Sequence, residues 1–194
     1  MTLLPRRLLA LGTVAVLVVA VIVALPLIRR AINHFELPLE YAAIIRQQAA
    51  EKHLQPDLIA AVIYSETRFR PRTSDTGALG LMQIEPATAK FLAHRSGGTS
   101  FTVADLATPQ VNIAYGSYYL RYLLNQYGDN VVEALAAYNG GETNVDSWVA
   151  SAHRSGRRFT VADIPIGQTQ AYVKEVLSKQ KAYRSAYPRE LGYA

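Results

Sequence analysis

The stretch PDLIAAVIYSE, residues 56–66, predicts a helix that carries a carboxyl group at its end. Pro56 suits a first helical turn, and an acidic residue such as Asp57 is favoured beside it. The apolar positions at helical spacing are Leu58, Ile59, Val62 and Ile63. Because the same spacing continues onto Glu66, this side chain is expected to extend an apolar stripe where the chain enters a glycine-rich loop.

A carboxyl group in that position can serve as a proton donor. Burial raises the pKa of a carboxyl group because it disfavours the charged form. A glutamic acid that keeps its proton near neutral pH can act as a general acid. The alternative for Glu66 is an ordinary surface residue at a helix end, paired with Arg68 or Arg70.

Residues 39–194 predict a domain that is mainly α-helical, with little or no β structure. The expected helices cover about 39–53, 56–66, 86–96, 109–127, 131–138, 142–151 and 168–183. Between residues 69 and 80 the chain is rich in loop and turn residues, so a small hairpin is possible there.

Three segments of this domain resemble, in order and spacing, the signature of one enzyme family. They are ETRF at 66–69, GALGLMQI at 77–84 and AAYNGG at 136–141. The family is that of the lytic transglycosylases with a goose-lysozyme-like catalytic domain, and the resemblance covers about residues 41–185. It implies a lysozyme-like fold of the goose type that acts on the glycan strands of peptidoglycan.

The resemblance also implies roles for eight residues. The catalytic acid is Glu66, and the substrate-binding residues are Ser74, Met82, Gln83, Tyr138, Asn139, Gln168 and Tyr172. Some have structural alternatives: Met82 and Tyr138 as core residues, and Asn139 as a helix cap. The glycines at 77 and 80 fit either a close approach to a ligand or ordinary turns. Gln168 stands where the family commonly has Glu, and it cannot ionise.

The implied reaction cleaves the β-1,4 bond between N-acetylmuramic acid and N-acetylglucosamine without water and leaves a 1,6-anhydro end. Glu66 acts first as the acid and then as the base. No metal or other cofactor is implied, and the four histidines show no metal-ligand spacing. Two alternatives stay open: a hydrolytic muramidase in which Asp75 or Glu85 positions water, and a non-catalytic peptidoglycan-binding or scaffold protein.

The N-terminal residues predict a membrane anchor. Residues 8–28 contain no charged residue and are almost wholly aliphatic. At about 1.5 Å per residue, a helix of this length matches the roughly 30 Å core of a bilayer. The expected order is a tail at 1–7, a transmembrane anchor at 8–28, a linker at 29–40 and the catalytic domain at 41–194, on the cell-wall side of the cell membrane. The alternative is a cleaved signal peptide, whose apolar region is usually shorter.

The net charge of +5 does not indicate a nucleic-acid partner. Twenty basic residues stand against fifteen acidic ones, but four of the basic residues are arginines that flank the apolar segment. The remainder is nearly balanced, whereas a nucleic-acid-binding domain shows a basic face. The expected partners are peptidoglycan and, through the N-terminal segment, the membrane.

Overall fold

A computed structural model describes residues 19–25, 37–98 and 100–193. The chain divides into two compact units, residues 1–38 and 39–194. In the first unit residues 19–25 are helical. The rest of the predicted anchor at 8–28, the tail at 1–7 and residues 29–36 of the linker lie outside the described residues. Among the residues that are described, no helix has both the length and the apolar character needed to cross a membrane.

The second unit is mainly helical, which confirms the prediction. Its helices are α1 (Ala42–Lys52), α2 (Pro56–Thr67), α3 (Pro86–Ser96), α4 (Pro109–Gln126), α5 (Val131–Gly140), α6 (Glu142–Arg154) and α7 (Gly167–Ala186). Three of them begin at a proline, because the missing N–H of proline has no partner to lose in a first turn. Short 3₁₀ helices at Val103–Ala107 and Val161–Asp163 are additional to the predicted elements.

The core of this unit is built around α2. This helix packs against α1 and α7, and α5 packs against α4, α6 and α7. All residues from Leu58 to Ile63 are at most 3% exposed, so α2 is buried on nearly all sides rather than along one stripe. The helix is less completely covered at Pro56, where it begins, and at Ser65 and Glu66 near its C-terminal end.

A small antiparallel hairpin follows α2, as the turn residues suggested. Its strands are β1 (Arg72–Thr73) and β2 (Leu79–Gly80). Arg72 pairs with Gly80 across the two strands. The Ser74 hydroxyl accepts a hydrogen bond from the Ala78 amide at 3.0 Å, and the Ser74 amide donates to the Ala78 carbonyl at 2.9 Å. Ser74 therefore closes the turn that joins the strands.

The loop after β2 is fixed by Asn112 of α4, which is fully buried. Its side-chain oxygen accepts from the Met82 amide at 2.8 Å, and its nitrogen donates to the Leu79 and Leu106 carbonyls at 2.9 and 3.0 Å. Gly80 has a φ of 76°, and a Cβ at this position would lie 2.1 Å from Asn112 Nδ2. Close packing of the backbone against Asn112, rather than approach to a ligand, accounts for glycine at position 80.

Candidate active site

A cleft of about 420 Å³ lies at the C-terminal end of α2. Its lining has two parts, which we name by their origin. The helix part comes from α2, α4, α5 and α7 and includes Glu66, Tyr119, Tyr138, Asn139 and Gln168. The hairpin part comes from the hairpin, the following loop and the start of α3 and includes Ser74, Thr76, Gln83, Glu85 and Thr88.

Glu66 is a half-buried carboxyl group in the last turn of α2. Burial raises the pKa of this group from an ordinary 4.5 to about 7. The Tyr172 hydroxyl and the Arg72 guanidinium lower the pKa, whereas the Glu175 carboxylate raises it. Glu66 therefore holds its proton over much of the neutral range while it still faces the cleft.

Two tyrosines surround the Glu66 carboxyl group. Tyr172 of α7 is buried, and among the described residues its hydroxyl has no partner of standard hydrogen-bond geometry. It nevertheless lies close enough to Glu66 to lower the pKa of that carboxyl group. Tyr138 of α5 donates to the Met82 carbonyl at 2.9 Å. Burial and then the Glu66 charge raise the pKa of both tyrosines, so both remain protonated donors.

Two hydrogen bonds connect the C-terminal end of α2 directly to the hairpin part of the cleft lining. The Thr67 hydroxyl donates to the Leu81 carbonyl at 2.8 Å. The Arg72 guanidinium donates to the Glu66 carbonyl at 3.0 Å. These two bonds fix the position of the Glu66 backbone relative to the loop after β2, so the acid and the loop form one rigid part of the cleft.

Five predicted substrate-binding residues line the cleft together with Glu66. They are Ser74, Gln83, Tyr138, Asn139 and Gln168. The Gln83 amide nitrogen donates to the Arg72 and Gly80 carbonyls, each at 2.8 Å. Both of its protons are thereby used, and the side-chain oxygen is the atom that could accept a hydrogen bond from a ligand.

Asn139 is not the cap of α5. The helix ends at Gly140, and Gly141 occupies the cap position with a φ of 83°. Asn139 lies inside the last turn and lines the cleft. The capping alternative for this residue is therefore wrong, and its contact with substrate stays a prediction.

The expectation that the Met82 side chain contacts substrate is corrected to a role in the core. The side chain is fully buried and packs against Gly116 of α4, where a Cβ would lie 2.4 Å from the Met82 sulfur. Met82 contributes through its backbone instead, because its carbonyl holds Tyr138 and its amide is held by Asn112. The apolar environment of the loop decides this placement, since a flexible thioether fills the space beside a glycine well.

Three residues belong to the site although sequence reasoning did not single them out: Arg72, Tyr119 and Glu175. Arg72 lowers the pKa of Glu66 and Glu175 raises it, although burial has the largest effect. Tyr119 lines the cleft with its ring 5.2 Å from that of Tyr138. Glu175 follows Tyr172 by three positions on α7, a helical spacing that places both on one face and could have identified it.

The two carboxylates considered for water activation lie in different places. Glu85 lines the cleft as the residue that precedes α3, although its side chain makes no capping hydrogen bond. Asp75 is exposed in the hairpin turn and is not part of the described cleft lining. Of the two, Glu85 is the one that shares the cleft with Glu66.

Comparison with known proteins identifies the family of this domain. The family described as "Transglycosylase SLT domain" matches residues 43–159, which contain Glu66, the hairpin and α5. The chain belongs to the transglycosylase SLT domain family. The resemblance inferred from the three sequence segments is thereby confirmed for the domain.

The SLT domain has similar counterparts in bacteria and in a bacteriophage. It is 33% identical over 157 residues to the soluble lytic murein transglycosylase of Escherichia coli strain K12, an alignment that covers 78% of this chain and 24% of that protein. It is 42% identical over 113 residues to a transglycosylase of Enterobacteria phage PRD1, covering 58% of this chain and 38% of that protein.

A solved structure extends the likeness to the fold. The crystal structure of the 70-kDa soluble lytic transglycosylase of Escherichia coli is similar with a TM-score of 0.73 and 30% identity, over 78% of this chain and 25% of that chain. This chain spans about a quarter of the length of the curated relatives that it matches.

Proposed function

We propose that this chain is a peptidoglycan lytic transglycosylase in which Glu66 is the catalytic acid and base. The observation that carries the proposal is a half-buried glutamic acid with a pKa of about 7 at the lining of the cleft. Membership of the SLT domain family supports it. So do relatives whose names describe transglycosylases that act on murein.

The reaction begins with proton transfer from Glu66 to the glycosidic oxygen between N-acetylmuramic acid and N-acetylglucosamine. The bond from that oxygen to the anomeric carbon breaks through an oxocarbenium-like transition state. The substrate's own acetamido group stabilises the anomeric carbon, so the enzyme needs no separate nucleophile. The Tyr172 hydroxyl, which favours the charged form of Glu66, stabilises the carboxylate that results.

The second step uses the ionised Glu66 as a base. It removes the proton from the C6 hydroxyl of the same muramic acid, and that oxygen forms a bond to the anomeric carbon. The product carries a 1,6-anhydro ring, Glu66 regains its proton, and water is not consumed. One carboxyl group is enough for both steps, provided that its pKa lies near the working pH.

The polar lining of the cleft supports binding of a hydroxyl-rich and amide-rich ligand. Ser74, Asn139 and Gln168 offer uncharged hydrogen-bonding groups, and Gln83 offers its side-chain oxygen. We assign these four residues, together with Tyr138 and Tyr172 beside the acid, to substrate binding. Gln168 keeps hydrogen-bonding capacity in the first turn of α7 without adding a charge.

The reaction type is tested by digestion of purified sacculi with the full chain in detergent, followed by mass spectrometry of the muropeptides. We expect anhydro-muropeptides, each lighter by one water than the corresponding hydrolysis product. Hydrolysis is the second candidate, because Glu85 lines the same cleft. Reducing muramic acid ends as the main product would establish it and refute the transglycosylase assignment.

The N-terminal segment carries a separate part of the proposal, a single-pass anchor at residues 8–28 with the SLT domain on the cell-wall side. The anchor is supported by the uncharged apolar run at residues 8–28. The orientation is supported by the proposed substrate, because peptidoglycan lies outside the cell membrane, and not by charge, since two arginines flank the run on each side. Protease added to intact spheroplasts should then digest the domain, and the mature protein should begin at or near residue 1. A soluble product that starts beyond Ile28 would show a cleaved signal peptide instead.

A further inference from the structure

Three basic side chains lie at the surface beside the C-terminal end of α2. Arg68 and Arg70 belong to the segment that follows the helix, and Lys179 lies on α7. The Arg68 guanidinium lies 5.5 Å from the centre of the Tyr64 ring, and the Lys179 amine lies 4.2 Å from it. Two cations from different elements therefore lie against one ring, a contact that each of them gains from the ring's electrons. We call Arg68, Arg70 and Lys179 the basic patch.

The basic patch is not neutralised from within. In the part of the chain that the structure describes, none of its three cations has an acidic partner at ion-pair distance. Glu66 lies two positions before Arg68, and Glu175 lies four positions before Lys179, yet neither forms such a pair. Like charges held close together repel each other, so an anion from outside the chain would stabilise this arrangement.

The backbone under Arg68 is in a conformation that favours glycine. Arg68 caps α2 with a φ of 51°, and Phe69 follows with a φ of 62°. Phe69 is 2% exposed and packs against Tyr183 with the ring centroids 6.1 Å apart, so the core accounts for its presence. Arg68 is exposed, and its side chain lies against a ring that Lys179 also contacts. Packing therefore gives little reason for an arginine at this strained position.

The shape of the surface favours an extended layer of anions over a single small one. The basic patch lines neither the cleft nor a smaller cavity at the N-terminal end of α2. A small anion needs donors that converge in a pocket, whereas cations spread over an open surface match many anions in one plane. Tyr64 and Phe69 are buried and are not available to enter a lipid layer. The expected contact is thus electrostatic.

The proposed anchor would bring such an anionic layer within reach. The predicted linker at residues 29–40 spans at most about 40 Å when it is fully extended. A domain on a tether of this length experiences a high effective concentration of membrane lipid. Basic side chains are attracted to an anionic bilayer surface within a Debye length of about 10 Å. The basic patch therefore has to supply orientation rather than the whole affinity for the membrane.

We propose that the basic patch docks the SLT domain on anionic phospholipid headgroups of the membrane; this assignment rests on the proposed single-pass anchor. The headgroup phosphates pair with Arg68, Arg70 and Lys179. Because Arg68 follows Glu66 by two residues, docking holds the C-terminal end of α2 and one side of the cleft near the membrane surface. The enzyme is thereby directed to glycan strands that lie next to the membrane.

Fluorescence quenching in lipid nanodiscs tests the docking with the full chain. Because the chain has no cysteine, Ser178→Cys can carry a single bimane label beside Lys179, and Thr143→Cys can carry a control label on α6. Nitroxides on lipid headgroups quench bimane on contact. We expect stronger quenching at position 178 in discs that contain phosphatidylglycerol than in discs of phosphatidylcholine alone, and equal quenching at position 143. Salt at 1 M should remove the difference, because the Debye length is then about 3 Å.

Charge variants assign the quenching to the basic patch. The patch variant combines Arg68→Gln, Arg70→Gln and Lys179→Gln. Each cation removed should lower the ratio of docked to undocked domain about fivefold, so the patch variant should lower it about a hundredfold. Its matched control removes three exposed charges elsewhere in the domain and should keep the quenching: Lys90→Gln, Arg154→Gln and Arg158→Gln. Both variants should release anhydro-muropeptides from sacculi in detergent at the wild-type rate, which shows that both are folded.

The outcomes separate the docking from the proposed function. Equal quenching in both lipid compositions, or unchanged quenching in the patch variant, would overturn the docking. A wild-type protein that enters discs of neither composition would contradict the anchor and, with it, the docking. Absence of anhydro products with a wild-type protein that docks would contradict the proposed reaction alone.

Discussion

Two glutamates line the same cleft, one in each part of the lining, and their surroundings differ. Glu66 is half-buried in the last turn of α2 between tyrosines, with a pKa of about 7. Glu85 is exposed at the start of α3. The helix dipole adds to this contrast, because a helix C-terminus disfavours a carboxylate and an N-terminus favours one. Burial, rather than residue type alone, therefore raises the pKa of Glu66 to about 7.

The largest expected effect is that of Glu66→Gln, which keeps the shape of the side chain and removes the proton donor. The rate of muropeptide release should fall by at least about a hundredfold, the lower range for general acid catalysis. Circular dichroism and glycan binding should show that the protein is still folded. A variant that keeps near wild-type turnover would remove Glu66 from the mechanism.

The structure of the hairpin and the loop after it depends on close packing against Asn112. Two glycine-to-alanine variants test this dependence. Gly80→Ala should cost about 1–3 kcal/mol from overpacking against Asn112, in addition to about 1–2 kcal/mol from the left-handed backbone. Gly77→Ala is the matched control, because its φ is 85° but no atom lies within 4 Å of the added Cβ. Urea unfolding of both variants measures the difference. Equal destabilisation would show that crowding at Asn112 contributes nothing.

The neighbours of Glu66 should move its pKa in opposite directions. In the proposed mechanism the active form has Glu66 protonated, so the rate should fall as the pH rises through about 7. Tyr172→Phe removes a group that lowers the pKa, so the alkaline limb of the pH–rate profile should move to higher pH. Glu175→Gln removes a charge that raises the pKa, so the limb should move to lower pH.

Tyr118→Phe, outside the described cleft lining, serves as the control for the pH profiles. Its alkaline limb should coincide with that of the wild type. If Tyr172→Phe and Glu175→Gln moved the alkaline limb in the same direction, the proposed opposite effects of Tyr172 and Glu175 on the pKa of Glu66 would be wrong.

The smallest effect is expected for Glu85→Gln. Its charge at the start of α3 contributes about 0.3–1 kcal/mol through the helix dipole, so stability should fall by at most about 1 kcal/mol and the rate by a few-fold. The products should remain anhydro-muropeptides. If the substitution abolished turnover in a folded protein, Glu85 would have to activate water, and the two glutamates would share the chemistry.

Much of the fold could be predicted because sequence signals indicate where the helices of this chain begin and end. Prolines mark the starts of α2, α3 and α4, and apolar spacing marks their length. The 3₁₀ helices were harder to predict, because they are too short to show a periodic pattern of apolar residues. Their signal lies in the capping boxes of Thr102 with Asp105 and of Thr160 with Asp163.

The site could be predicted where a residue's role depends on a local motif, and not where it depends on packing between distant elements. Glu66, Gln83 and Asn139 occur in recognisable segments and line the cleft. Met82 belongs to such a segment as well, but the space beside Gly116 of α4 draws its side chain into the core. Such contacts between elements leave no periodic pattern in the sequence.

The most direct test of the account is the pKa of Glu66 itself, measured by NMR titration of glutamate carboxyl carbons in the isotope-labelled full chain. We expect one glutamate to titrate at about pH 7, and its signal to disappear in Glu66→Gln. If the signal assigned to Glu66 titrates near its ordinary pKa of 4.5, the group is ionised at neutral pH and cannot serve as the acid.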